Sequence, residues 1–242
     1  MNILRVAWFS AGVSSAVATK LAIERIDRII YQHIDDQHPS TLRFVRDCET
    51  WFGQPIETIQ SPLHSVEAAC RFRAYVNGVR GAACTRMLKR ELRKQWEQDC
   101  GLSAYFRYVW GMDYDEGRRA ERLRQSMPNH EHEFPLIDQG ITKEEAHGII
   151  EKAGIARPRM YDLGYPNNNC IGCVKGGMGY WNKIRVDFPE VFASRSRLER
   201  LIKGTCIKGV YLDELDPEAG RDVGPIVPEC GPQCTLAMEE VG

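Results

Sequence analysis

Over the first 155 residues, short apolar runs alternate with segments whose apolar side chains recur every three or four positions. Residues 4–9, 28–34, 56–59, 106–110 and 134–137 have the length and composition of buried strands. Residues 13–26, 41–52, 66–75, 116–126 and 142–153 carry helical spacing, as does the stretch after Thr85, where Leu88, Leu92 and Trp96 form a stripe. Thr142, with Glu145 three positions on, opens its helix with a capping box. This alternation predicts βαβ units, and hence an α/β fold: an open, mostly parallel sheet with helices on both faces. From residue 156 proline, glycine and cysteine increase and the periodicity fades. The expected organisation is an α/β domain over 1–155 and a smaller, Cys-rich, loop-helical region over 156–242.

Composition narrows the function classes. The net charge of −1 provides no global basic field, so any nucleic-acid contact has to come from a local patch. No run is apolar enough to span a bilayer, and the start lacks a signal-peptide core, so a cytoplasmic setting without a membrane is expected. In that setting nine cysteines point to metal ligation or thiol chemistry before disulfides.

The first strand runs into "SAGVSS" and then a helix. Ser10, Ala11, Gly12, Ser14 and Ser15 are small enough to let an anion reach the backbone, and the helix start adds free N–H groups. The same residues would also make an ordinary serine-capped turn. Farther on, Arg86, Lys89, Arg90, Arg93 and Lys94 stand against a single carboxylate, Glu91. On a helix Arg86, Lys89, Arg90 and Arg93 share the face opposite the apolar stripe, as an anion site or as a solvated surface. Arg118, Arg119 and Arg122 follow the strand end at Gly111, and one or two of them can face a site there while the others pair with Asp115, Glu116 or Glu121.

Two cysteine pairs, Cys170 with Cys173 and Cys230 with Cys234, have spacing that suits one four-thiolate centre, either Zn2+ or a [4Fe–4S] cluster, with a redox dithiol as the competitor. Cys84 precedes the basic helix, where Thr85 is the expected cap, and that position predicts a lowered thiol pKa. Cys206 is a second reactive candidate, whereas Cys48, Cys70 and Cys100 fall in helical stretches and read as inert. His130 and His132 lack a third ligand and read as surface residues.

"SAGVSS" resembles the PP-loop, SGGxDS, of the ATP pyrophosphatases. Three further stretches are similar to the PAPS-reductase-like branch of that superfamily, in order: "CTRMLKRELRKQW", "GMDYDEGRRAERL" and "YDLGYPNNNCIGCVKGG". The resemblance covers most of the chain. It implies a PP-loop nucleotide-binding domain that binds ATP with Mg2+, adenylates an acceptor, releases pyrophosphate and passes sulfur to the acceptor. The sulfur-transfer branch includes DNA phosphorothioation enzymes, which implies a nucleic-acid acceptor and a cysteine desulfurase as sulfur donor. Lys89 would contact the phosphates, Cys84 and Arg118 would act in the chemistry, and Gly111 and Arg122 would border the nucleotide. A PAPS or adenylyl-sulfate reductase is the alternative, as is a nucleotide-binding scaffold without turnover. Two departures stand out: Ala11 replaces the second loop glycine, which is tolerable at negative φ, and Ser14 replaces the aspartate that helps hold magnesium. Asp35 or Asp36, ending the second strand, is the expected substitute, with a solvated turn as the other reading of at least one of them.

Overall fold

The computed structural model describes residues 3–79, 81–101, 105–221 and 226–229. Strand β1 (Ile3–Phe9) leads into helix α1 (Val13–Leu21), then β2 (Arg28–His33), α2 (Ser40–Phe52), β3 (Ile56–Gln60) and α3 (Val66–Arg73). A π-helical segment (Thr85–Arg90) continues into α4 (Glu91–Asp99), followed by β4 (Tyr105–Val109), α5 (Gly117–Ser126) and β5 (Glu131–Glu133). The chain then forms α6 (Pro135–Asp138), α7 (Lys143–Lys152), α8 (Arg159–Asp162), α9 (Met178–Asp187) and α10 (Pro189–Ile202).

The five strands pair in parallel in the order β3-β2-β1-β4-β5. The chain steps outward from β1 in one direction and then, after β3, restarts on the other side at β4. The strand order therefore reverses between β1 and β4, where a crevice opens beyond the carboxyl ends. Both faces of the sheet are covered, as parallel sheets require. Alternation along β1 sends Ala7 and Phe9 toward α1, α2 and α7, and Val6 and Trp8 toward Trp96 of α4. A further cluster joins Cys70, Leu88 and Val76 to Trp181, Ile184 and Leu198. Residues on both sides of position 155 thus share one apolar core.

Two expectations need correction. Residues 134–137 were read as a strand, but Pro135 takes the first position of α6, where its fixed φ suits a helix and its missing N–H costs nothing. The strand lies just before it, at Glu131–Glu133, within the "HEHE" stretch. The two histidines of that stretch are half-buried: His130 packs edge-on against Tyr108, and Trp110 Nε1 donates to His132 Nδ1 at 3.0 Å. The region after 156, where periodicity fades, contains two substantial helices, α9 and α10, packed through the fully buried Trp181. Among the described residues, no helix is long and apolar enough to cross a membrane.

Candidate functional site

A cavity of about 550 Å³ opens at the carboxyl ends of β1 and β4. One wall is the loop after β1. The Ser15 hydroxyl, buried, organises this loop: it accepts from Ser10 N and Gly12 N, both at 3.2 Å, and donates to Gly12 O at 2.8 Å. Val13 N, at the start of α1, donates to Tyr161 Oη at 3.2 Å. Asn168 Nδ2 donates to Ala11 O at 2.7 Å and to Thr41 Oγ1 at 3.2 Å. Ser10, Gly12, Ser14 and Ser15 line the cavity.

Ala11 departs from expectation. Its φ is +57°, the left-handed region that favours glycine, so the negative φ that would make alanine tolerable is not adopted. Asn168 holds the strained peptide through its carbonyl. Gly12 is extended, and a Cβ there would stand 3.3 Å from Tyr161 Oη. Gly111, just past β4, is needed for a different reason: a Cβ there would collide with the Ser15 backbone. The close approach of β4's end to α1 is what closes the floor of the cavity.

The opposite wall carries sulfur and charge. Cys84, Cys170 and Cys173 all line it, with Lys89 and Lys175. The Cys170–Cys173 turn is tightly held. Ile171 N donates to Asp36 O at 2.8 Å, and the buried Arg195 pairs with the Asp36 carboxylate and donates to Gly172 O at 3.4 Å. Tyr180 Oη accepts from Cys173 N at 2.8 Å and donates to Cys170 O at 3.2 Å.

Burial raises the Cys84 thiol pKa, and neighbouring Cys173 adds to the effect, against the lowering pull of Lys175 and Lys89. This overturns the expectation of a lowered pKa. The physical reason is desolvation: Cys84 stands in the first turn of its helix, but its thiol is withdrawn from water, and that outweighs the pull of the two lysines; Thr85 begins the π segment and is not its cap. Burial likewise pushes Cys170 up to about 12. Cys206 is buried in the core cluster and is pushed up by that burial and by Glu199, away from the reactive role considered for it.

The π segment also divides the basic residues expected on one helix face. Lys89 lines the main cavity, whereas Arg86, Arg90 and Lys94 line an adjoining recess of about 310 Å³ together with Lys175. Arg93 turns away to Glu97, at 3.1 Å. From α5 it is Arg119, paired with Glu116, that reaches the cavity wall. Arg118 and Arg122 are exposed and lie off that wall, with Arg122 Nε donating to Arg118 O at 3.3 Å, so the positions assigned to them fall on the solvent side of the helix.

Asp35 also lies off the wall. It accepts from Gln60 Nε2 at 2.6 Å, and its side chain is 54% exposed. Asp36 is taken up by Arg195 and by Val66 N, which donates to it at 2.7 Å. Sequence reasoning missed Asp113, Lys143, Tyr161 and Asn168, which complete the cavity. Asn168 stood inside the quoted "YPNNNC" stretch, but nothing in its spacing announced a partner 157 residues away.

Cys230 and Cys234 lie outside the described residues. Among the described residues, no three His, Cys, Asp or Glu side chains stand close enough together to hold a metal ion. A structural zinc site takes four protein ligands, so the described thiols do not by themselves form one. No protein-family model and no curated protein matches this chain.

Proposed function

We propose that the chain is a PP-loop ATP pyrophosphatase that adenylates an acceptor for sulfur transfer. One observation carries the reading: a small-residue loop with a helix start, three lysines and three thiols all line one cavity at the strand-order reversal. The phosphates of an adenine nucleotide would lie over residues 10–15. Lys89, Lys143, Lys175 and Arg119 would balance their charge. An acceptor oxygen attacks the α-phosphorus, the α–β bridging bond breaks, and pyrophosphate leaves. A sulfur nucleophile then attacks the acceptor, and AMP departs with the original acceptor oxygen. One of Cys84, Cys170 and Cys173 would carry that sulfur as a persulfide, whose outer sulfur bonds to the acceptor; a second of these thiols would then attack the inner sulfur, releasing the thiolated acceptor and leaving a disulfide. A nucleic-acid acceptor would meet the adjoining recess lined by Arg86, Arg90 and Lys94, with a cysteine desulfurase as the sulfur donor.

The same thiols favour a second reading, a PAPS or adenylyl-sulfate reductase, in which a thiol attacks the sulfate sulfur. Anaerobic incubation with ATP and candidate acceptors separates the two. Pyrophosphate and AMP in equal amounts support the first, and sulfite released from PAPS supports the second. Tight ATP binding with neither product leaves a scaffold.

A further inference from the structure

A nucleotide triphosphate usually travels as its magnesium complex, and Mg2+ takes most of its oxygen ligands from phosphates and water, adding one or two carboxylates. A protein that binds such a complex needs no three-residue metal cluster. It needs a carboxylate at the right wall of the cavity. The loop offers Ser14 where the resemblance would place an aspartate, and Asp35 and Asp36 are turned to other partners.

Asp113 remains. It follows β4 across the strand-order reversal from the loop, lines the cavity, and is only 3% exposed. Its Oδ2 is fully enclosed and has no hydrogen-bond partner among the described residues. The nearest cation, Lys143 Nζ, stands 4.0 Å from that oxygen, too far for a hydrogen bond. Buried carboxylate oxygens are costly without a donor or a cation, and they are rarely left so without a ligand to meet them. Glu116 lines the same wall, but one of its oxygens takes Arg119 and the other accepts from Asp113 N at 3.3 Å. Asp113 therefore keeps an unpartnered carboxylate oxygen at the wall of a cavity whose cationic side chains, Lys89, Lys143, Lys175 and Arg119, are suited to phosphate.

We infer that Asp113 is the protein ligand for the Mg2+ ion that accompanies the nucleotide phosphates in this cavity. The inference rests on the nucleotide reading above. It moves the metal carboxylate from the β1 loop to the segment just past the end of β4.

The test is calorimetric titration with α,β-methylene ATP, in Mg2+ and in EDTA, on the wild-type chain and on Asp113→Asn. Wild type should bind at least tenfold more tightly with Mg2+. Asp113→Asn should bind equally, within twofold, in the two buffers, and its EDTA affinity should match or exceed that of wild type, because a negative charge has gone. A tenfold Mg2+ gain retained in the variant overturns the assignment while leaving the nucleotide reading intact. A wild-type chain that binds no nucleotide in either buffer overturns both. A second measurement avoids the variant: wild-type chain labelled with 13C at its aspartate carboxyls, loaded with Mn2+ and the same nucleotide, should show a 13C hyperfine coupling in electron–nuclear double resonance. Absence of that coupling also overturns the assignment.

Discussion

The loop wall of the cavity is fixed by backbone contacts too close to admit a side chain, whereas the thiol wall hangs on side-chain charge. Gly111 lies against the Ser15 backbone, and Ser15, Tyr161 and Asn168 satisfy the polar groups of residues 10–13. The Cys170–Cys173 turn depends instead on Arg195, only 4% exposed, bridging Asp36 and Gly172. The first wall should be sensitive to volume and the second to charge. A nucleotide site needs rigid backbone donors, while a thiol site needs sulfurs whose surroundings set their protonation.

The largest effect should come from the charged wall. Arg195→Met leaves Asp36 as a half-enclosed carboxylate without its cation and should destabilise the fold by about 4 kcal/mol, read by urea denaturation. If the loss is under about 1 kcal/mol, the contrast between the walls collapses. Gly111→Ala comes next, with a loss of about 3 kcal/mol from overpacking against Ser15; the conservative volume change makes an unchanged midpoint decisive against the close approach.

A third test uses pH. His147, buried edge-on against Tyr161, has its pKa lowered to about 4 by burial first and by Arg157 and Lys143 next. The unfolded chain takes up this proton near the ordinary value of 6.5, the folded chain only near 4, so folding is favoured while the ring is neutral. The stabilisation is full above pH 6.5 and falls as pH drops toward 4, by about 3 kcal/mol in all. His147→Leu should flatten that part of the stability profile. An identical acid slope in the variant would place the pH response elsewhere. The smallest effect is a gain: Ala11→Gly relieves the left-handed strain and should stabilise by about 1 kcal/mol. A loss there would mean that the alanine methyl, fully buried, contributes more packing than its φ costs.

The sheet was legible in the sequence because its determinants are local. Strand β1, the Thr142–Glu145 capping box and the apolar stripes of α2 and α7 all follow from near neighbours, and Thr142 Oγ1 does accept from Glu145 N at 3.2 Å. The turn between β1 and α1 was legible because small residues between an apolar run and helical spacing mark a strand end and a helix start. What was hidden depended on distant partners. Asp36 and Arg195 are separated by 159 positions, and Asn168 and Ala11 by 157. Whether Arg118 or Arg119 reaches the cavity turns on the rotation of one short helix, a difference of about 100° that composition does not encode. The raised pKa of Cys84 follows from burial and from Cys173, a neighbour far along the chain that local spacing does not announce.

The π segment at Thr85–Arg90 sets the phase of everything after it. Leu88, inside it, belongs to the core shared with α9 and α10, whereas Trp96, two turns on, belongs to the aromatic cluster on the sheet face with Trp8 and Tyr108. A regular helix would serve one of those cores at the expense of the other, because a wider turn holds one extra residue. Removing a single residue between 85 and 90 would rotate the two halves by about 100° against each other. Either Cys84 and Lys89 would swing off the cavity wall or Trp96 would leave its ring partners. This stretch should therefore accept substitutions far more readily than changes in length, and the spacing between Cys84 and Trp96 acts as a gauge that ties the thiol wall to the sheet.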